Sequence, residues 1–284
     1  MVEAVTPIYN VFFRNSLQPV NPGSPTVRPP DLGVFTLRLD RHEPPHRQLD
    51  RPFWVLHLVL PLSVAILVLF TLENTRIDLW LADQWFALEG QQWAWRNHWL
   101  TYDVIHHYGK QMVIGFGIIL LSLIALSYRV ARFRKWRQPM VYLLVSMAVL
   151  PSAIASFKHI SPVPCPWDLM PYGGDSVYKP TFTYSFGPAE SGHCFPAGHA
   201  SGGFALLAMY FAAYFFVRRP VLFLLPGLIV GSLFALGQQA RGAHFLSHDL
   251  WTLSFCWFGA LVLFLLFRPQ RWAGLQLTAR PADG

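Results

Sequence analysis

FWVLHLVLPLSVAILVLFTL, residues 53–72, runs for 20 positions without an Asp, Glu, Lys or Arg. An apolar run of that length is enough to cross a bilayer core of about 30 Å as a helix. A helix is required because lipid offers the backbone no hydrogen-bond partners. Four more stretches, 112–128, 140–157, 221–236 and 250–267, are similarly apolar, and a sixth, 200–217, becomes so after a glycine-rich start. The composition agrees, with 53% hydrophobic and 13% charged residues, against about 25% charged in soluble domains. The expected fold is therefore all-α: a polytopic membrane protein with a six-transmembrane-helix bundle over residues 51–270. Pro61, Pro151 and Pro226 fall inside spans, where neighbouring groups can satisfy the freed carbonyls. The first span follows a polar segment of about fifty residues, too long for the start of a cleavable signal, and is expected to be retained.

Basic residues set the expected orientation. With the N-terminus inside, 16 of the 22 Lys and Arg fall on the inner side, including the run Arg129, Arg132, Arg134, Lys135 and Arg137. Both termini are then cytoplasmic. Residues 1–50 carry the pairs Pro29-Pro30 and Pro44-Pro45 and are expected to form a disordered tail; residues 271–284 form a second tail. The net charge of +7 follows from this topology and from contact with anionic lipid. No motif calls for nucleic acid.

The outer side collects eight of the eleven histidines. The outer segment 73–110 carries five tryptophans, a type that favours the membrane interface, so it reads as an interfacial cap or as a lid over a lipid. Three short stretches stand out. Lys158-His-Ile-Ser-Pro-Val-Pro-Cys165-Pro166 ends the third span. Pro196-Ala197-Gly198-His199 starts the fourth. Gln238-Gln-Ala-Arg241-Gly-Ala-His244-Phe-Leu-Ser-His248-Asp249 joins the fifth to the sixth. Six-span topology brings all three to one membrane face, in extracytoplasmic loops. His159, His193, His106 and His107 read as loop or interfacial residues.

In order and placement these stretches resemble the motifs of the type 2 phosphatidic acid phosphatase superfamily, integral-membrane lipid phosphate phosphatases. The family pattern is K-x6-R-P, P-S-G-H and S-R-x5-H-x3-D. This chain departs from it at four positions: Cys165 and Gln238 stand at the two arginine positions, Ala197 at the serine and His248 at the aspartate. The resemblance implies a multi-pass protein of a bacterial inner membrane with a periplasmic site. Its implied activity is hydrolysis of a lipid phosphate or diphosphate through a phosphohistidine, or transfer of that phosphoryl group to another acceptor. By the same resemblance His244 is the nucleophile and His199 the general acid, and His248 holds the orienting position, with Asp249 as a second candidate. Lys158, Arg241 and Gly198 are expected to hold the phosphate. Arg241, His244 and His248 would share one face if the segment were helical. The partners are a lipid phosphate and the bilayer. No cofactor or metal is expected, although clustered histidines with Cys165 or Cys194 resemble zinc-ligand sets and bis-histidine haem ligation uses the same residue type. A non-catalytic binder of anionic headgroups is the rival from another class.

Cys256 lies in the last span, whereas Cys165 and Cys194 share one outer loop. An oxidising exterior permits a bridge between them. Alkylation of native protein should then leave two thiols unlabelled until reductant is added; labelling of all three without reductant would remove the bridge.

Overall fold

The computed structural model describes residues 47–186 and 192–272. Most of the expected N-terminal tail and most of the C-terminal one lie outside these residues. The described chain is helical, and the β-pairing among its residues is a single isolated bridge between Leu169 and Ser176. Five helices are long and apolar enough to cross a membrane: α1 (Arg51–Glu73), α3 (Leu100–Leu126), α4 (Ala131–Lys158), α6 (Pro220–Ala240) and α7 (Leu246–Leu266). A short helix, α2 (Ile77–Leu88), follows α1. The sixth apolar segment is also helical, over residues 198–213 (α5). It is built from three abutting pieces, Gly198–Phe204, a 3-10 turn at Ala205–Leu207, and Ala208–Ala213. It is shorter than the five long helices, and most of its residues are buried by its neighbours. The outer bundle surface is apolar in its turn: Leu67 and Phe70 of α1 are each 67% exposed, as lipid-facing side chains are.

Small residues determine how closely the helices approach, as is usual where lipid-like side chains give no net drive to associate. At Gly231 of α6 an added Cβ would lie 2.1 Å from the Phe204 ring of α5. At Gly237 it would lie 2.8 Å from Ile105 of α3. These two contacts fix α5 and α3 against α6. The proline in α1 is compensated as the sequence requires. Pro61 cannot donate to the His57 carbonyl, and the Trp257 indole N–H of α7 does so instead, at 2.9 Å.

One end of the bundle is covered by α2 and the described residues of the loop, 159–186 and 192–197. Ala82, Leu169, Tyr172 and Phe245 form a small core there, with Phe86 and Trp93 against it. Tyr172 donates to Asp83 Oδ1 at 2.7 Å. The Ser247 backbone N–H, in the first turn of α7, donates to Asp78 Oδ1 at 3.0 Å, so α2 caps α7 from outside. Trp80 and Trp99 are exposed, while Trp93 lies over the turn at Gly242. The tryptophan-rich segment 73–110 is thus partly a packed cover.

Gly231→Ala should lower the midpoint of thermal unfolding in detergent, by about 1–3 kcal/mol of stability, as overpacking does. Gly115→Ala, where an added Cβ meets nothing within 4 Å, should be neutral or slightly stabilising. Equal melting of both variants and the parent would mean that the α5–α6 approach is not tight.

Candidate functional site

Lys158 ends α4, and its backbone carbonyl receives His193 Nδ1–H at 3.0 Å. Here the chain enters the proline-rich loop. The His193 N–H donates to the Ser161 carbonyl at 2.9 Å and the Cys194 N–H to the Val163 carbonyl at 3.0 Å, so the end of the loop runs back along its beginning. Cys165 and Cys194 are joined as a disulfide, with Cα atoms 5.2 Å apart, within the usual range for such bonds. Cys165, Asp168 and Cys194 also place donor atoms within 4.8 Å of one another, but the two sulfurs are bonded to each other. The return path delivers Gly198 to Lys158: a Cβ built on Gly198 would lie 3.9 Å from the Lys158 ammonium. Lys158, Gly198 and His199 are therefore neighbours.

All three line a cleft of about 680 Å³ between α3, α4 and α5. Its polar end adds His106, Lys110, His159 and His193. Val113, Met147, Pro151 and Ala155 continue its wall down α3 and α4 toward the middle of the bundle. Ala155 is exposed and Ile114, also in the wall, is 47% exposed, so the cleft opens on the outer surface of the bundle. Four imidazoles and two ammonium groups face it, with no carboxylate among its described lining residues. That arrangement suits an anionic head with an apolar tail.

The third motif behaves differently from the helical arrangement that sequence spacing suggests. The segment 241–245 is a turn between α6 and α7, so Arg241, His244 and His248 do not line up along one helix. Arg241 Nε donates to the Arg96 carbonyl at 2.8 Å and Nη1 to Gln238 Oε1 at 3.1 Å. Its guanidinium carbon lies 5.2 Å from the centre of the Tyr102 ring. Gln238 Nε2 is 2.8 Å from His106 Nδ1. His106 in turn packs, tilted by 43°, at 4.4 Å on His199, which packs at 4.4 Å on Phe234 and bonds the Ile105 carbonyl through Nε2 at 3.2 Å.

His244 and His248 are both buried, with ring centres 5.8 Å apart. Neither lines the cleft, and the Nδ1 atom of each is buried without a hydrogen-bond partner among the described residues. Asp249 is buried too, and its Oδ2 accepts from Gln239 at 2.7 Å rather than from an imidazole. The structure thus gathers Lys158, Gly198 and His199 in the cleft, places His244 and His248 behind it, and turns Arg241 toward Gln238. Sequence reading placed His106, His159 and His193 outside the site, but all three line the cleft. The usable signal was His106-x3-Lys110, a cationic pair one turn apart at the depth of the motifs. It was missed because α3 begins well before the apolar run that marks it.

Residues 139–272 match the model of the family described as PAP2 superfamily. No curated protein and no solved structure gives a match. The matched segment contains all three motif stretches but neither α3 nor His106.

Burial holds His244 well below its ordinary pKa of 6.5, and the positive charge of Lys158 adds to this. Its imidazole is neutral at pH 7, the form in which a ring nitrogen has a free lone pair. Unfolded, the same ring takes a proton below about pH 6.5. As pH falls through that value, the unfolded state binds a proton that the folded state refuses, and stability falls. Thermal unfolding followed from pH 8 to pH 5 should show this loss, and His244→Gln should flatten the curve between pH 6.5 and 5. An unchanged curve in the variant would mean that His244 is protonated in the fold.

Proposed function

Because residues 139–272 match the PAP2 superfamily model, we propose that the chain is a member of the type 2 phosphatidic acid phosphatase superfamily and hydrolyses a phosphate or diphosphate group on a membrane lipid at the outer leaflet. The observation that carries this reading is the cleft, with Lys158 and His199 at its polar end and the apolar wall of Val113, Met147 and Ala155 below them. A phosphate at the polar end leaves the acyl or prenyl chain lying along α3 and α4. The positive-inside distribution of Lys and Arg favours the periplasmic side of a bacterial inner membrane for this end. The Cys165–Cys194 bond suits the same compartment.

In this mechanism Lys158 holds the phosphate oxygens and stabilises the charge that grows on them. A ring nitrogen of neutral His244, brought forward from its buried position behind the cleft, attacks phosphorus. The P–N bond forms as the P–O bond to the lipid breaks. The departing oxygen takes a proton from Nδ1 of His199, which takes it up when the phosphate dianion binds beside it and whose Nε2–H stays on the Ile105 carbonyl. Water then attacks the phosphohistidine and His199 takes its proton. The P–N bond breaks and phosphate leaves. A lipid hydroxyl in place of water turns the same intermediate into a transferase product.

One observation favours a second reading, a non-catalytic binder of anionic headgroups: His244 is buried outside the cleft, and the two arginine positions hold Cys165 and Gln238. Purified protein incubated with a phosphatidic acid-type lipid separates the two. Hydrolysis predicts phosphate release that His244→Ala abolishes and that His199→Ala reduces about 10²- to 10⁴-fold. Lipid binding without release, in parent and variants alike, would establish the binder.

A further inference from the structure

The arginine position of the third motif is held by Gln238, and the hydrogen bonds around it show what has taken its place. Arg241 only donates, so the Gln238 oxygen faces it, at 3.1 Å. The Gln238 nitrogen therefore faces His106 Nδ1, at 2.8 Å. An amide N–H₂ only donates, so His106 Nδ1 must accept, and the proton of the ring sits on Nε2. His199 is held in the opposite sense. A carbonyl only accepts, so the Nε2 on Ile105 carries hydrogen and Nδ1 is the atom left for chemistry. The two rings, 4.4 Å apart in one cleft, thus present different edges: a fixed donor on His106 and an exchangeable site on His199.

We infer that His106 is a phosphate-binding residue, whose Nε2–H donates to a non-bridging phosphate oxygen in place of the guanidinium that the family pattern puts at position 238. Arg241 and Gln238 are its positioning relay. The guanidinium polarises the amide, and the amide polarises the imidazole, as linked hydrogen bonds do. No proton is transferred by His106, because protonation at Nδ1 would set N–H against the Gln238 N–H₂, and Arg241 keeps that amide from turning over. Transition-state charge is stabilised by the donor alone. Polar burial fits this role: Gln238 and Arg241 are 3% and 7% exposed, yet their side chains are bonded to one another and to His106 rather than to any carboxylate among the described residues. This inference rests on reading the cleft as a phosphate site.

The test uses the full chain in detergent, with inorganic phosphate as the binding probe and a phosphatidic acid-type lipid as substrate. His106→Ala should weaken phosphate binding about 10- to 100-fold, the range for a hydrogen bond to a charged group. His106→Gln, which keeps an N–H donor, should recover part of that loss and keeps the test open if the alanine variant fails to fold. Nitrogen NMR of labelled histidine should show His106 protonated at Nε2 and bare at Nδ1. Gln238→Glu, which can only accept, should move that proton to Nδ1 and weaken phosphate binding as His106→Ala does. Phosphate binding within twofold of the parent in His106→Ala, a parent that binds no phosphate, or an Nδ1–H tautomer in the parent would each overturn the inference. Should the parent release phosphate in a His244-dependent way while His106→Ala matches it in both assays, the hydrolase reading stands and this one falls. If phosphate binding depends on His106 but no lipid is hydrolysed, this one stands and the hydrolase reading falls.

Discussion

The close crossing of α5 with α6 is the contact on which the cleft depends. Phe204 of α5 lies so near Gly231 that no side chain fits between them. His199 lies just over one turn before Phe204, and Gln238 about two turns beyond Gly231, so the crossing brings both toward the same end. Phe234, one turn from Gly231, then packs on the His199 ring. A second close approach, Gly237 to Ile105, adds α3 and presents the Ile105 carbonyl to His199 and the His106 ring to Gln238. Backbone spacing thus sets the donor pattern of three side chains that are far apart in sequence.

The second physical feature is positive charge left without a counter-charge. The Lys158 and Lys110 ammonium groups face a cleft whose described lining adds four imidazoles and no carboxylate. Removing cations from water costs free energy that a nearby anion repays. The buried acids are used elsewhere: Asp78 caps α7 and Asp249 takes the Gln239 amide. Burial pushes the Asp78 carboxyl up to about 6, so at neutral pH it is largely ionised against its one backbone donor. A pocket built this way favours a ligand that brings negative charge with it.

Much of the fold was legible in the sequence because the apolar runs are long and lipid leaves the backbone little choice of structure. The five long helices overlap those runs. Residues 200–217 were harder: a glycine-rich helix in the middle of a bundle needs close neighbours more than apolar length, so α5 ends at residue 213 and contains a 3-10 turn. The motifs drew attention to Lys158, Gly198 and His199, which do meet. Arg241 was read from helical periodicity, and that argument failed because a turn at Gly242 separates α6 from α7. His106 and Gln238 were passed over for a different reason. The spacing of His106 and Lys110 could point to the cleft, but the pairing of His106 with Gln238 is a hydrogen bond across 132 residues, which no local spacing encodes.

The mouth of the cleft opens beside α3 and α4, two helices long and apolar enough to cross a membrane, where Ile114 and Ala155 are exposed. For the proposed lipid substrate, that position means entry sideways from the surrounding leaflet rather than from bulk water. Occupancy then follows the mole fraction of that lipid in the bilayer, and diluting it with inert lipid at constant total amount will empty the cleft as surely as removing it. Encounter is two-dimensional, so a scarce lipid and a crowded membrane limit the protein in ways that no aqueous concentration describes.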